Sequence, residues 1–284
     1  MIEKMMEYKS NLRDWAYFRT MKLTYQYLAA RYEDMLPKFD KSSGIGEDLP
    51  CKDFIWCCWL QGLDNAPVLV KKCVDSLKKF DRKIMVITSD NYSEYVDIPD
   101  YIIKKKEQGI ITNAHFSDIL RAELLSKLGG TWIDATVFCS DKSMLDEVLN
   151  DNPLFCYSFA MRDSVNAYML YDSWVLHSSK KSMIIEDVKG LLHLYWQNED
   201  QLLHYFLFHL MFSIACNRHP EEKEKIPLFT LEPCHILQLE MQKPFEKKRW
   251  DQIMRMSGIH KLTYKYDPSV DIGGTMLEYL INKG

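Results

Sequence analysis

Apolar residues change their spacing along the chain, and each change marks a new element. Over 1–40, Met5, Leu12, Trp15, Phe18, Met21, Leu28 and Met35 return near helical spacing with no glycine or proline before Pro37, which predicts one long helix or two. Lys41–Pro50, KSSGIGEDLP, interrupts that pattern with turn residues and marks the start of a main domain over 41–284. Phe54–Leu60 is a continuous apolar run, as in a strand buried on both faces; a helix over Val68–Lys79 and a second strand over Lys83–Thr88 follow. Strand, helix and strand in this order predict a parallel βαβ unit within an α/β fold, and such sheets bind ligands at the carboxyl ends of their strands. The exit loops with Gln61 and Asp90 thereby become candidate contacts, while the stretch around Tyr95, Ile98, Pro99 and Tyr101 reads as irregular. Farther on, strands are expected over Leu154–Ala160 and Trp174–Leu176, and helices over Lys181–Tyr195, 201–216, Glu246–Met256 and Thr275–Leu280.

The densest stretch is Ala114–Phe138, AHFSDILRAELLSKLGGTWIDATVF. Ile119, Leu120, Leu124, Leu125 and Leu128 recur at three and four residues, an amphipathic helix with Ser117 as its expected N-cap. Asp118 and Arg121, three apart, share one face of it. Gly129 ends the helix as a left-handed cap, Gly130 permits a sharp reversal, and the β-branched and aromatic residues of Thr131–Phe138 predict one buried strand. Asp134 breaks that apolar run. An uncompensated buried carboxylate costs several kcal/mol, so the strand is expected to open into a cleft there.

Composition narrows the classes. With 284 residues and 47% hydrophobic content the chain can build a large core, and a net charge of -4 with interspersed signs excludes a polyanion-binding surface and, with it, nucleic acid as a partner. Eight cysteines without a C-x-x-C pair or a recognisable leader predict reduced core residues and a cytoplasmic protein. Leu202–Cys216, the most apolar segment, is shorter than a bilayer span and carries His204 and His209, which stand five apart and so do not share a face. The aromatic N-terminal helices lack the cationic excess of a membrane anchor, which favours packing on the domain or in a homodimer over peripheral membrane association.

The block SDILRAELLSKLGGTWIDATV resembles the S-D-x-x-R, Gly-Gly, D-x-D region of GT-A glycosyltransferases, a group that includes the yeast mannosyltransferase-like family and the large clostridial glucosylating toxins. It is most similar to bacterial capsular polysaccharide synthesis proteins, in which W-I-D-A-T-V is typical. IWCCWLQG with NAPVLVKKCVDSL, and IHKLTYKY near the end, agree in the same order, so the resemblance spans Asp53–Tyr266.

This resemblance implies a GT-A domain, a Rossmann-like and mostly parallel sheet flanked by helices, that moves a sugar from a UDP- or GDP-linked donor to a glycan or lipid-linked acceptor in surface polysaccharide assembly. It implies that Asp118, Arg121 and Asp134 face the donor sugar. Trp59 or Trp56 would pack on the nucleobase with Gln61 at its edge, and Asp90, Thr136, Lys261 and Tyr264 would lie toward the nucleotide and diphosphate. It also implies a divalent cation, Mn²⁺ or Mg²⁺, held by Asp134 and His260, the histidine favouring Mn²⁺. Thr136 stands where the motif has its second acid, so a neutral hydroxyl replaces one hard anionic ligand. A non-catalytic sugar-nucleotide-binding or scaffold protein is the alternative. Trp56 and Trp59, three apart in a strand, point to opposite faces, so one of them belongs to the core.

Overall fold

The computed structural model describes residues 2–39, 44–159, 168–266 and 271–283, without the side chains of 2–15, 17 and 283. The expected linker therefore lies partly outside the described residues, as does Ala160. The elements run α1 (Ile2–Tyr32), β1 (Phe54–Cys58), α2 (Val68–Ser76), β2 (Lys83–Ile87), α3 (Asp100–Glu107), α4 (Asn113–Lys127), β3 (Gly130–Ile133), β4 (Val137–Cys139), α5 (Ser143–Asp151), β5 (Leu154–Ser158), β6 (Tyr171–Ser178), α6 (Met183–Asn198), α7 (Leu207–Arg218), α8 (Pro220–Lys223), α9 (Glu232–Glu240), α10 (Lys247–Met256), β7 (Ile259–Lys261) and α11 (Met276–Lys283).

Five strands form one sheet in the order β2-β1-β3-β6-β5. β1 pairs parallel with β2 and with β3, while β6 runs antiparallel between β3 and β5, so the mostly parallel α/β sheet expected from the sequence is present. Alternation along β1 explains its unbroken apolar run. Trp56 joins a core with Trp132, Phe116, Leu120 and the apolar faces of α6 and α7, whereas Ile55 and Cys57 join a second core with Val70 and Val74 of α2 and Leu145 of α5. Both faces are covered, and neither tolerates a polar residue without a partner.

Three expectations about Ala114–Phe138 need correction. The helix begins earlier than Ser117: Thr112 is the N-cap, its side chain accepting from the His115 amide, and the Ser117 hydroxyl donates to the Ala114 carbonyl instead. The helix is also buried nearly all round, because α6 covers the face expected to meet solvent and pairs His193 with Glu123. Thr131–Phe138 is not one strand. The chain leaves the main sheet at Asp134, whose amide donates to the Trp174 carbonyl at 2.9 Å, turns back so that the Val137 amide reaches the Asp134 carbonyl, and enters a separate two-stranded sheet of β4 and β7.

The diglycine is required by both backbone and space. Gly129 and Gly130 have φ of 75° and 100°. A Cβ on Gly129 would stand 2.6 Å from that of Leu49, and one on Gly130 would stand 2.8 Å from the carbonyl oxygens of Cys51 and Phe54. The helix and strand that carry the acidic and basic residues are joined at a point where the chain has no room for a side chain.

The N-terminal part is one helix, not two. Its C-terminal half packs on the domain through Met21, Leu28 and Tyr32, all buried, and Arg218 donates to the Glu33 carbonyl at 2.9 Å, tying the helix end to α7. α3 was not expected: Pro99 sits at its N-cap, where a proline starts a helix as readily as it ends one. Among the described residues no helix is long and apolar enough to cross a membrane.

Candidate active site

At the carboxyl ends of β1 and β3 lies a cavity of about 530 Å³, within the size range of small-molecule sites. It brings together Trp59, Gln61, Asp118, Arg121, Asp134, Thr136, Lys261 and Tyr264, which come from β1's exit, α4, the turn after β3, and β7 with its following loop.

The charged part of the lining is built around Asp134. Arg121 sits with only 3% of its side chain exposed and bridges two acids, Nη1 to Asp118 Oδ1 at 3.0 Å and Nη2 to Asp134 Oδ1 at 2.9 Å. Its guanidinium lies over the rings of Trp132 and Phe208, with centroid distances of 4.8 and 5.2 Å, so the cation is held by aromatic contacts as well as by its partners. Trp132 Nε1 donates to Asp134 Oδ1 at 2.8 Å. On the other oxygen, Lys261 Nζ lies 2.7 Å from Asp134 Oδ2 and, at the same distance, donates to the Thr136 hydroxyl. Burial alone would raise the Asp134 carboxyl, but the Lys261 and Arg121 charges and the hydrogen bonds from Lys261 and Trp132 hold it below the usual carboxylate range. The awkward acid of the sequence is thus compensated twice.

Strand pairing delivers the lysine. β4 and β7 are antiparallel with Val137 opposite Lys261, and the Leu262 amide donates to the Thr136 carbonyl at 2.9 Å, so Lys261 is held beside the Asp134–Thr136 turn. Alternation then turns its neighbour away. His260 is fully buried outside the cavity, its Nε2 2.9 Å from the Ser140 hydroxyl and its ring stacked on Phe138. Burial lowers its pKa to about 4. His260 therefore does not join Asp134 as a metal ligand here. Asp90 also lies outside the cavity, in an exposed turn where its amide donates to the Thr88 hydroxyl, because β2 is the sheet's edge strand.

The lining also holds an aromatic pair. Trp59 and Tyr264 meet edge to face at 5.3 Å, while Trp56 belongs to the core and donates to the Gly129 carbonyl at 2.7 Å. Gln61 lies beside Trp59, its carbonyl accepting from the Asn65 side chain.

A third wall was not anticipated. Asp172, at the start of β6, faces His209 of α7, with Oδ1 3.4 Å from Nε2, and both line the cavity. Burial would raise the Asp172 carboxyl, but the hydrogen bond and charge of His209, the Ser173 amide and the Lys261 charge bring it down to about 2. An acid two residues ahead of the apolar run Trp174–Leu176 was the available signal, and it lay outside the predicted strand. His204 does not line the cavity. Among the described residues, five that do line it keep a buried polar atom without a hydrogen-bond partner: Trp59 Nε1, His115 Nδ1, Arg121 Nε, Trp174 Nε1 and His209 Nδ1. Such atoms cost free energy in an empty site and mark positions where a polar ligand would be bonded.

A divalent cation fits this arrangement poorly. The two oxygens that would offer it a foothold, Asp134 Oδ2 and Thr136 Oγ1, are both taken by the Lys261 ammonium. A doubly charged ion about 4 Å from that ammonium would be repelled by roughly 8 kcal/mol at an effective dielectric constant of about 20. Among the described residues no three His, Cys, Asp or Glu side chains cluster to hold a metal.

The fold and the cavity define an α/β protein with a cleft at the carboxyl ends of its parallel strands, lined by paired charges and an aromatic pair. Residues 5–280 match the family model described as capsular polysaccharide synthesis protein, and the chain belongs to that family. Among solved structures it is similar to the PaToxG glycosyltransferase, at 14% identity and a TM-score of 0.40, covering 74% of this chain and 80% of that one. It is also similar to a glycosyltransferase involved in the glycosylation of the major capsid of PBCV-1, at 10% identity and a TM-score of 0.37, covering 75% and 93%. No curated protein matches it.

Proposed function

We propose that the protein is a glycosyltransferase of capsular polysaccharide synthesis that uses a nucleotide-sugar donor, UDP- or GDP-linked, and a glycan or lipid-linked acceptor. The observation that carries this reading is the lining of one cavity, which holds both the aromatic pair Trp59 and Tyr264 and the Arg121–Asp134–Lys261 ion chain, together with family membership over residues 5–280. A nucleobase is a flat apolar group with polar edges, suited to Trp59, Tyr264 and Gln61. A diphosphate needs cations that remain in place as its charge develops, and a sugar needs fixed acceptors such as Asp118.

In the reaction the bond between the anomeric carbon and the phosphate oxygen breaks, a bond from the acceptor oxygen to that carbon forms, and nucleoside diphosphate leaves. The resemblance favours retention at that carbon, with the leaving diphosphate taking the acceptor proton. The protein's contribution is then orientation and charge stabilisation. A lipid-linked acceptor would place the protein at the inner face of the membrane as a peripheral enzyme.

The test is a thermal-shift screen of UDP- and GDP-sugars followed by a transfer assay with NMR of the product. Stabilisation by one class of donor and a product with the donor's anomeric configuration are expected. Binding without turnover on any acceptor would leave only the scaffold reading, and an inverted anomer would refute retention.

A further inference from the structure

We infer that Lys261 takes the place of the divalent cation, so that a side chain supplies the donor diphosphate with the bond a metal ion would make and the protein is metal-independent. The inference rests on the nucleotide-sugar reading and adds how that site handles charge. Its basis is the position of one amino group. Lys261 Nζ bridges the acid of the D-x-D-like motif and the hydroxyl in the position of the second acid, at 2.7 Å from each. An ammonium has three N–H donors. Two are spent on Asp134 and Thr136; the third has no protein partner among the described residues, and Lys261 lines the cavity. A cation anchored by two protein oxygens with one bond left for a phosphate oxygen has the connectivity of a bound metal ion, but it is part of the chain.

Thr136 then has a reason to be neutral. Within the chain Asp118, Arg121, Asp134 and Lys261 the charges are two negative and two positive, each acid has a cation without a metal, and the further acid of the cavity, Asp172, is paired with His209. An acid at 136 would leave one negative charge over, which a divalent ion could satisfy only by displacing the lysine. The strand pairing of Val137 with Lys261 and the Leu262 amide's bond to the Thr136 carbonyl keep the amino group there before any donor arrives.

The test uses the full chain, with UDP and GDP as probes, in calorimetric titrations run with excess EDTA and with Mn²⁺. Mn²⁺ binding itself is followed by electron paramagnetic resonance, and circular dichroism and thermal melts check that each variant is folded. The wild type is expected to bind one of the two nucleotides with an affinity that differs by less than about threefold between EDTA and Mn²⁺. It should leave Mn²⁺ free in solution. Lys261→Met should lose roughly tenfold or more in affinity and Lys261→Arg should recover most of it, as expected for a charge-assisted bond. The double change Thr136→Asp with Lys261→Ala should take up Mn²⁺ together with the nucleotide. Binding by the wild type that collapses in EDTA and returns with Mn²⁺, or Lys261→Met binding as the wild type does, would overturn this inference while leaving the nucleotide-sugar reading standing. If the wild type binds neither nucleotide under either condition, both fall.

Discussion

Arg121→Met tests whether the ion chain is part of the fold as well as of the site. The substitution keeps much of the side chain's volume between Trp132 and Phe208 but removes the charge that two acids share. Breaking a buried ion pair from one side costs about 3–5 kcal/mol, because the remaining charge is left buried. The lower end applies here: Asp118 and Asp134 keep 17% and 26% of their side chains exposed, and Asp134 retains Lys261. The expected loss is therefore about 3 kcal/mol, which at a urea m-value of about 3 kcal/mol per molar moves the unfolding midpoint down by roughly 1 M. Asp118→Asn, which keeps an acceptor for the guanidinium, should cost about 1 kcal/mol. In the double variant the two losses should not add, since the Asp118 charge no longer needs a partner once it is neutral. Urea unfolding followed by tryptophan fluorescence reads all three. An Arg121→Met loss below about 1 kcal/mol would show that water and Lys261 already satisfy both acids, and the argument that the guanidinium clamps them would be wrong.

Further outcomes follow from the same geometry. Asp134→Asn should reduce transfer by roughly 100-fold or more while the far-ultraviolet spectrum stays that of the wild type, because the amide weakens the hold on Arg121 and Lys261 where charge develops; activity within a factor of two would remove Asp134 from the site. Gly130→Ala should destabilise by roughly 2–4 kcal/mol or prevent soluble expression, since φ is 100° and the new Cβ meets two carbonyl oxygens at 2.8 Å; a wild-type melting temperature would contradict the backbone described. Acid should weaken the fold above the carboxylate range. Burial lowers His260 to about 4 and, with the Arg82 charge, His177 to about 3, so both rings stay neutral in the folded chain while the unfolded chain takes up protons below about pH 6.5. Their contribution is present above that pH and is lost as pH falls toward 4, at about 1.4 kcal/mol per pH unit for each ring. His260→Asn should reduce the slope of stability between pH 6 and 4.5 by about 1 kcal/mol per pH unit, and an unchanged slope would show that the ring titrates freely.

What the sequence disclosed was local. Asp118 and Arg121 are three apart on one helix, and a strand buried on both faces reads as an unbroken apolar run, so α4, β1 and the acid–base face were legible from spacing. The break at Asp134 was not, because Thr136, Val137 and Phe138 favour a strand equally well in a second sheet, and propensity does not say which sheet. The same limit misassigned the C-terminal segment. His260 and Lys261 are adjacent and face opposite ways, and only the pairing of Lys261 with Val137 decides which one enters the cavity. Asp172 and His209 meet across 37 residues and two elements, a contact no local pattern encodes.

The lysine that completes the ion chain lies 127 residues beyond the acid it serves, whereas Arg121 lies only 13 before it. The acid's two cations therefore differ in the loop each must close: a short one for Arg121, and one that needs β7 docked on β4 for Lys261. A chain with the large sheet formed but not the small one would hold Asp134 with only one of its two cations.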